Sequence, residues 1–173
     1  LFLRLIQTGS PALVAASAYR LATDASSAGE IDKAIQYYQL VIRNAEQNDL
    51  KVDAQYRLGR LFLSNGNPES AATMFCAVMG NPEADAKFVL VSRMGYAALC
   101  ADTGRLGEAY SEYRKVLETP GVDNRNRGIA TLQAAMLATK LKKTAEAQGL
   151  YERLLKDESL KEMAPEARMG LLL

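Results

Sequence analysis

The sequence predicts an all-α fold, a solenoid of helical hairpins stacked in chain order, on three observations. First, a small residue is followed four positions later by an aromatic one at Ala34/Tyr38, Ala71/Phe75, Ala109/Tyr113 and Ala147/Tyr151, at successive offsets of 37, 38 and 38 residues. Second, a glycine stands five positions before the alanine in three of the four copies, as Gly29, Gly66 and Gly104. Third, the apolar residues between these marks recur at three- and four-residue spacing, the helical period. Self-similarity at such a period means structural units that bury their seams against their neighbours, rather than one globular core.

Taken in order, Leu1-Phe2-Leu3-Arg4-Leu5-Ile6 reads as the tail of a helix, because its apolar run breaks at Arg4 and is too short to span a bilayer. A signal-peptide core is the competing reading of these residues, but Gly9-Ser10-Pro11 leads straight into another helical stretch. Later breaks have local causes. Glycine closes a helix in the left-handed conformation, while asparagine followed by proline supplies a side-chain cap and a preset dihedral for the next start. That chemistry is present at Asn65-Gly66-Asn67-Pro68, and Ser10-Pro11 and Asn81-Pro82 repeat its second half. Looser loops fall at Thr119-Pro120-Gly121 and around Pro165. The predicted helices run near 11–28, 31–46, 50–65, 68–80, 83–103, 105–118, 124–141, 143–157 and from about 165 onward. The closing Met169-Gly170-Leu171-Leu172-Leu173 lacks the polar outer face of a terminal repeat, so a longer parent protein is expected.

Composition narrows the chemistry. The 173 residues are 49% hydrophobic, with 21 basic and 20 acidic side chains and a net charge of +1, so no global field favours nucleic acid or an anionic membrane. With no histidine in the chain, a Ser-His-Asp triad, a Cys-His dyad and histidine-ligated zinc are excluded within it. Cys76 and Cys100 lack the CxxC spacing of redox and zinc sites and are expected to be buried packing residues. Gly104-Arg105-Leu106-Gly107 lacks the spacing of a phosphate loop, and no Asn-x-Ser/Thr acceptor is present. Asp24, Glu30, Asp32, Asp102 and Glu108 fall at turns and helix starts and read as dipole-compensating charges. Arg125, Arg127, Lys140, Lys142 and Lys143 read as solvated helix-end charges. No cofactor and no metal are expected.

The pattern resembles the tetratricopeptide repeat, whose helix-turn-helix unit is nominally about 34 residues. The second copy carries the resemblance best, with Leu58-Gly59, Phe62, Gly66, Ala71, Phe75 and Val78. The first matches at Leu21-Ala22, Ala25, Gly29, Ala34, Tyr38 and Val41, and the third at Gly104, Ala109, Tyr113 and Val116. In the fourth, Lys142 replaces the turn glycine while Ala135, Ala147, Tyr151 and Leu154 hold the frame. The resemblance implies a single right-handed α-solenoid with repeats at about 15–51, 52–89, 90–127 and 128–162, flanked by partial repeats at 1–14 and 163–173. In the third copy Arg93-Met94-Gly95 lies two residues further from its turn glycine than Arg57-Leu58-Gly59 does, which predicts a longer or shifted first helix.

Arginine precedes the apolar-small pair in Arg20-Leu21-Ala22, Arg57-Leu58-Gly59, Arg93-Met94-Gly95 and Arg168-Met169-Gly170, with Gln133 at the corresponding place in the fourth copy. In the family the first helices line the concave groove, so the resemblance implies a ladder of arginines joined by Tyr19, Tyr56 and Arg60. Guanidinium groups offer bidentate donors to carboxylates, and tyrosine adds contact area at low entropic cost. An acidic or C-terminal peptide fits such a groove. The competing reading pairs each arginine with a nearby carboxylate on a solvated helix face. The clamp that some cytosolic members use for chaperone tails needs lysine and asparagine; Thr23 or Arg60 stands at the second of these, which argues against that partner class. Leu132 and Met136 continue the face as an apolar stretch suited to an amphipathic helix, with core packing as the alternative role.

The expected function is a protein-protein interaction scaffold that binds a partner peptide or helix in its groove. The alternative is an accessory or spacer domain of a larger enzyme or cell-envelope secretion or assembly protein. No enzyme activity, nucleic-acid binding or membrane insertion is expected, and the apolar repeat ends suggest self-association. The extended repeats are similar in style to those of bacterial cell-envelope assembly proteins, which leaves a periplasmic or a cytoplasmic location open.

Overall fold

The computed structural model describes residues 2–172; Leu1 and Leu173, at the outer ends of the two apolar terminal segments, lie outside them. Among the described residues there are ten α-helices and no strand. They are α1 (Phe2–Thr8), α2 (Pro11–Ser27), α3 (Ile31–Asn44), α4 (Asn48–Ser64), α5 (Pro68–Met79), α6 (Ala86–Asp102), α7 (Leu106–Glu118), α8 (Asn124–Lys140), α9 (Thr144–Lys156) and α10 (Ala164–Gly170). A 3-10 turn, Glu158–Met163, precedes α10. The chain divides into two compact units, Leu1–Ser92 and Arg93–Leu173, with the division inside α6.

Four hairpin turns share one hydrogen-bond pattern, which is why the period is visible in the sequence. Gly29, Gly66, Gly104 and Lys142 all have positive φ, and the amide that follows each one reaches back five residues. These bonds are Glu30 N to Ala25 O (2.9 Å), Asn67 N to Phe62 O (2.8 Å), Arg105 N to Cys100 O (2.8 Å) and Lys143 N to Ala138 O (2.9 Å). They satisfy carbonyls that would otherwise be orphaned at the helix end, by the Schellman arrangement. Lys142 therefore adopts the turn with φ 59° where the other copies use glycine.

In the first unit α1 packs on α2, α2 on α3, α3 on α4, and α4 on α5. Its core is built from the repeated positions: Ala18, Ala22, Ala34, Tyr38 and Val41 are buried with Ala54 and Leu58, and Ala71, Phe75 and Val78 are buried in α5. Gly59 permits α4 to approach α5; a Cβ there would stand 2.8 Å from the Phe75 ring. In the second unit α7 packs on α8, α8 on α9, and α9 and α8 on α10. Ala109, Tyr113 and Val116, then Ala147, Tyr151 and Leu154, occupy the same buried positions.

Three sequence expectations are corrected. Asn81-Pro82 does not restart a helix: Asn81 Oδ1 accepts from Glu83 N (3.0 Å), its amide donates to Asn48 Oδ1 (2.8 Å), and α6 begins only after Asp85, whose carboxylate accepts from Lys87 N (2.7 Å). Consequently α6 is not longer than its counterparts, since α2, α4, α6 and α8 each have 17 residues. The small residue buried seven positions before the turn is then Ala97, matching Ala22, Gly59 and Ala135, and Gly95 is only half-buried. Finally, Cys100 is buried but Cys76 is exposed, because it follows Phe75 on the outward side of α5.

Candidate functional site

The strongest convergence of predicted residues lies in the first unit, where α2 meets α4. Tyr19 on α2 donates its hydroxyl to Asp53 Oδ2 on α4. One turn further along α4, Arg57 Nε donates to Asp53 Oδ1 at 2.9 Å, an i,i+4 ion pair. Its guanidinium lies 5.7 Å from the centroid of the Tyr19 ring, within cation-π range. Tyr19 in turn meets the buried Tyr38 of α3 edge to face, with centroids 6.0 Å apart. Burial, and then the bond to the Asp53 carboxylate, push the Tyr19 phenol up to about 12, so it remains a donor at neutral pH. Burial also raises Tyr38, with the Arg57 cation opposing the rise.

Both oxygens of Asp53 are thus committed, and Arg57 is held from two sides before any ligand arrives. Such fixing lowers the ordering cost of recognition. Tyr56 occupies on α4 the place that Tyr19 has on α2, ten residues before the turn glycine. It lies between Phe75 (6.4 Å) and Phe88 (6.0 Å), and the Arg60 guanidinium covers its ring at 5.9 Å. Arg60 has no carboxylate partner among the described residues. Toward the C-terminal ends of α2 and α4 a cavity of about 210 Å³ is lined by Ser26, Tyr38, Arg57, Arg60, Leu61 and Ser64.

The remaining predicted site residues lie elsewhere. Arg20 is exposed and pairs within its own helix, Nε 3.3 Å from Asp24. Arg93 stands two positions out of register with Arg20 and Arg57 when counted from the turn, about 200° around the helix. That offset turns it toward α7, where it meets Glu112 at 2.5 Å. Arg168 is exposed on α10, and on α8 Leu132 and Gln133 are half-buried while Met136 is 42% exposed. The repeated arginines therefore do not form one uniform set.

Sequence reasoning missed Asp53, Ser26 and Ser64, and read Tyr38 as packing alone. Asp53 was legible, standing four residues before Arg57. It also missed two polar networks in the second unit. Tyr110 donates to Glu146, flanked by Arg114 and with Lys143 Nζ 4.7 Å from its ring centroid. Tyr96 donates to Glu108 Oε1 at 2.7 Å beside Arg105, and that bond, followed by burial, pushes its phenol up to about 12. Neither network has a counterpart one period away, so periodicity could not announce them. Among the described residues, no three His, Cys, Asp or Glu side chains gather as a metal site, and no helix is long and apolar enough to cross a membrane.

These features define an α-helical repeat protein whose polar residues staple one helical hairpin to the next, Tyr19 to Asp53 and Tyr110 to Glu146. Residues 19–79 match the family model of the tetratricopeptide repeat. The matched stretch is about a third of the chain, and repeats of this kind are in general protein-interaction scaffolds that bind protein partners. In structure it is similar to MamA (TM-score 0.64, 15% identity, covering 91% of this chain and 88% of that one), and to a second MamA structure (0.61, 15%, 88% and 91%). It is also similar to BtubC (BKLC) from P. vanneervenii (TM-score 0.72, 16% identity, 95% of this chain and 67% of that one). At these identities the likeness shows the fold, an all-α solenoid class. No curated protein matches the sequence.

Proposed function

We propose that this chain is a scaffold whose α2–α4 face holds an acidic segment of a partner protein. The observation that carries the reading is the prearranged Arg57, fixed by Asp53 and stacked on Tyr19, with Arg60 beside it and unclaimed by any carboxylate among the described residues. Two cations against one carboxylate leave an excess positive charge on a surface that also presents aromatic rings. Extended acidic segments supply what such a face lacks, and their binding is salt-sensitive because the guanidinium groups are part-exposed.

The test is capture of the full chain on an array of acidic, neutral and basic peptides at low and high salt. Acidic peptides should be retained selectively and released by salt. Arg57→Ala should weaken their capture about tenfold or more, the scale of a hydrogen bond to a charged group at about 1.5–3 kcal/mol. Equal capture by wild type and variant would remove the proposal.

A further inference from the structure

Successive hairpins leave a seam between their second helices, floored by the first helix that lies between them. Counted from the turn residues, the seam of α3 and α5 over α4 in the first unit corresponds position by position to that of α7 and α9 over α8 in the second. In the second unit the chain straps its own seam. Arg114 of α7 lies 3.8 Å from Glu146 of α9 and 3.8 Å from Glu118 of its own helix, and Tyr110 donates to the same Glu146. In the first unit Ile35, Gln39 and Ser70 stand where Tyr110, Arg114 and Glu146 stand, and Arg43 replaces Glu118. The strap is gone. What remains is an open hollow of about 390 Å³. Its floor is Leu58, which is buried, with Ile42, Phe62 and Met74, which are half-buried; the second unit has only Ala134 and Ala138 at the places of Leu58 and Phe62. Its rim is Gln39, Arg43, Ser70 and Thr73, with no carboxylate in the lining. Neither Gln39 nor Arg43 has a hydrogen-bond or ion-pair partner among the described residues.

We propose that the α3–α5 seam docks one face of an amphipathic helix from a partner protein, with a pair of bulky apolar side chains over the floor and an aspartate or glutamate against Arg43. This surface is separate from the α2–α4 face, since Phe62 lies about 140° around α4 from Arg57, and the inference stands whether or not that face binds acidic segments. Backbone chemistry selects a helix. An extended segment would lay its N–H and C=O groups over Ile42, Phe62 and Met74, which offer them no partner, whereas a helix satisfies its own and presents side chains alone. The apolar pair covers floor surface that water otherwise meets, as in other helix-in-groove contacts. Charge selects the acid. Arg43 stands in the last turn of α3, where a cation suits the helix end, and its guanidinium is unclaimed. A partner carboxylate completes between two chains the pairing that Arg114 makes with Glu118 and Glu146 within one.

The probe is a library of single helices, held helical by side-chain cross-links, with positions i, i+3, i+4 and i+7 of one face randomised and selected on the full chain. The counter-target is the double variant Gln39→Arg with Ser70→Glu, which rebuilds in the first unit the strap of the second. Gln39 is exposed and Ser70 lies in the first turn of α5, where a glutamate suits the helix start, so the variant keeps its fold. Helices enriched on the wild type should carry two apolar side chains and one acidic one, and should bind the counter-target at least about tenfold more weakly. Methyl signals of Ile42, Leu58 and Met74 should shift on binding while the amides of Tyr19 and Ser26 stay in place. Replacing the helix's acid, Glu→Gln or Asp→Asn, should cost about fivefold in wild type and less than about twofold in Arg43→Gln, with thermal melts confirming that fold. Enrichment of no helix, equal binding to the counter-target, shifts confined to α2, or an undiminished amide penalty in Arg43→Gln overturns the proposal. Equal binding by the selected sequence with a central proline and no cross-links also overturns it, because the seam then takes an extended chain. So does a concentration-dependent shift of the same methyls in the chain alone, because a second copy is then the occupant.

Discussion

Gly59 and Gly149 show how one residue type serves opposite physical ends. A Cβ on Gly59 would lie 2.8 and 3.0 Å from Phe75 ring carbons and 3.2 Å from Met74 Cβ, and Phe75 is buried with no room to yield. Gly149, inside α9, has nothing within 4 Å of the equivalent point. Gly59→Ala gains helix propensity of about 1 kcal/mol but meets an overpacking cost of about 1–3 kcal/mol. It should lower stability by about 1 kcal/mol. Gly149→Ala meets no such cost and should raise stability by about 0.5–1 kcal/mol. Urea midpoints of the two variants, moving in opposite directions, are the expected result; a gain for Gly59→Ala would mean that α4 and α5 do not approach as described. Sequence alone distinguishes the two glycines only through the frame. Gly59 falls where Ala22 and Ala135 fall, and Gly149 has no such counterpart.

At the scale of the element, the hairpin turn was the most legible feature, because its backbone demand is met by residue type. Positive φ favours glycine, and glycine recurs at three of the four turns. The fourth shows that the tertiary frame can impose the same conformation on lysine, at φ 59°. Left-handed backbone costs a residue with a Cβ about 1–2 kcal/mol, part of which glycine gives back through its freer unfolded chain. Lys142→Gly should therefore raise stability by about 0.5–1 kcal/mol. The control Lys143→Gly, one residue on at φ −87°, should lower it. Thermal melts of the pair check this, and a loss in both would mean that the Lys142 side chain contributes more than its backbone costs. The start of α6 was misread for the complementary reason. Asn81-Pro82 carries the same two residues as Asn67-Pro68, yet Asn81 spends its amide on Asn48 and its carbonyl oxygen on Glu83 N, so no cap remains for a helix. A contact 33 residues away decided the outcome. Local sequence does not report such contacts.

Across the whole molecule the fold was legible and the site only in part, since packing repeats while recognition does not. Ala34/Tyr38 and its three counterparts recur because each hairpin solves the same burial problem, whereas Tyr19–Asp53–Arg57 occurs once. The tyrosines nevertheless give the chain a common response to alkali. Tyr19 in the first unit and Tyr96 and Tyr113 in the second are all pushed up to about 12: Tyr19 by burial and then Asp53, Tyr96 by its bond to Glu108 and then burial, and Tyr113 by burial. A phenol whose folded value exceeds its unfolded value of about 10 stabilises the fold fully below pH 10. Between pH 10 and about 12 the unfolded chain releases protons that the folded chain retains, so stability falls steadily through that window. Tyrosinate absorbance should therefore rise later in native buffer than in urea, with at least three of the eight tyrosines delayed, and urea midpoints should drop over the same range. Tyr19→Phe should remove one delayed group and leave the other two. Coincident titration curves in buffer and urea would show that these phenols are solvated in the folded chain, and would take with them the hydrogen bond that positions Asp53 beneath Arg57.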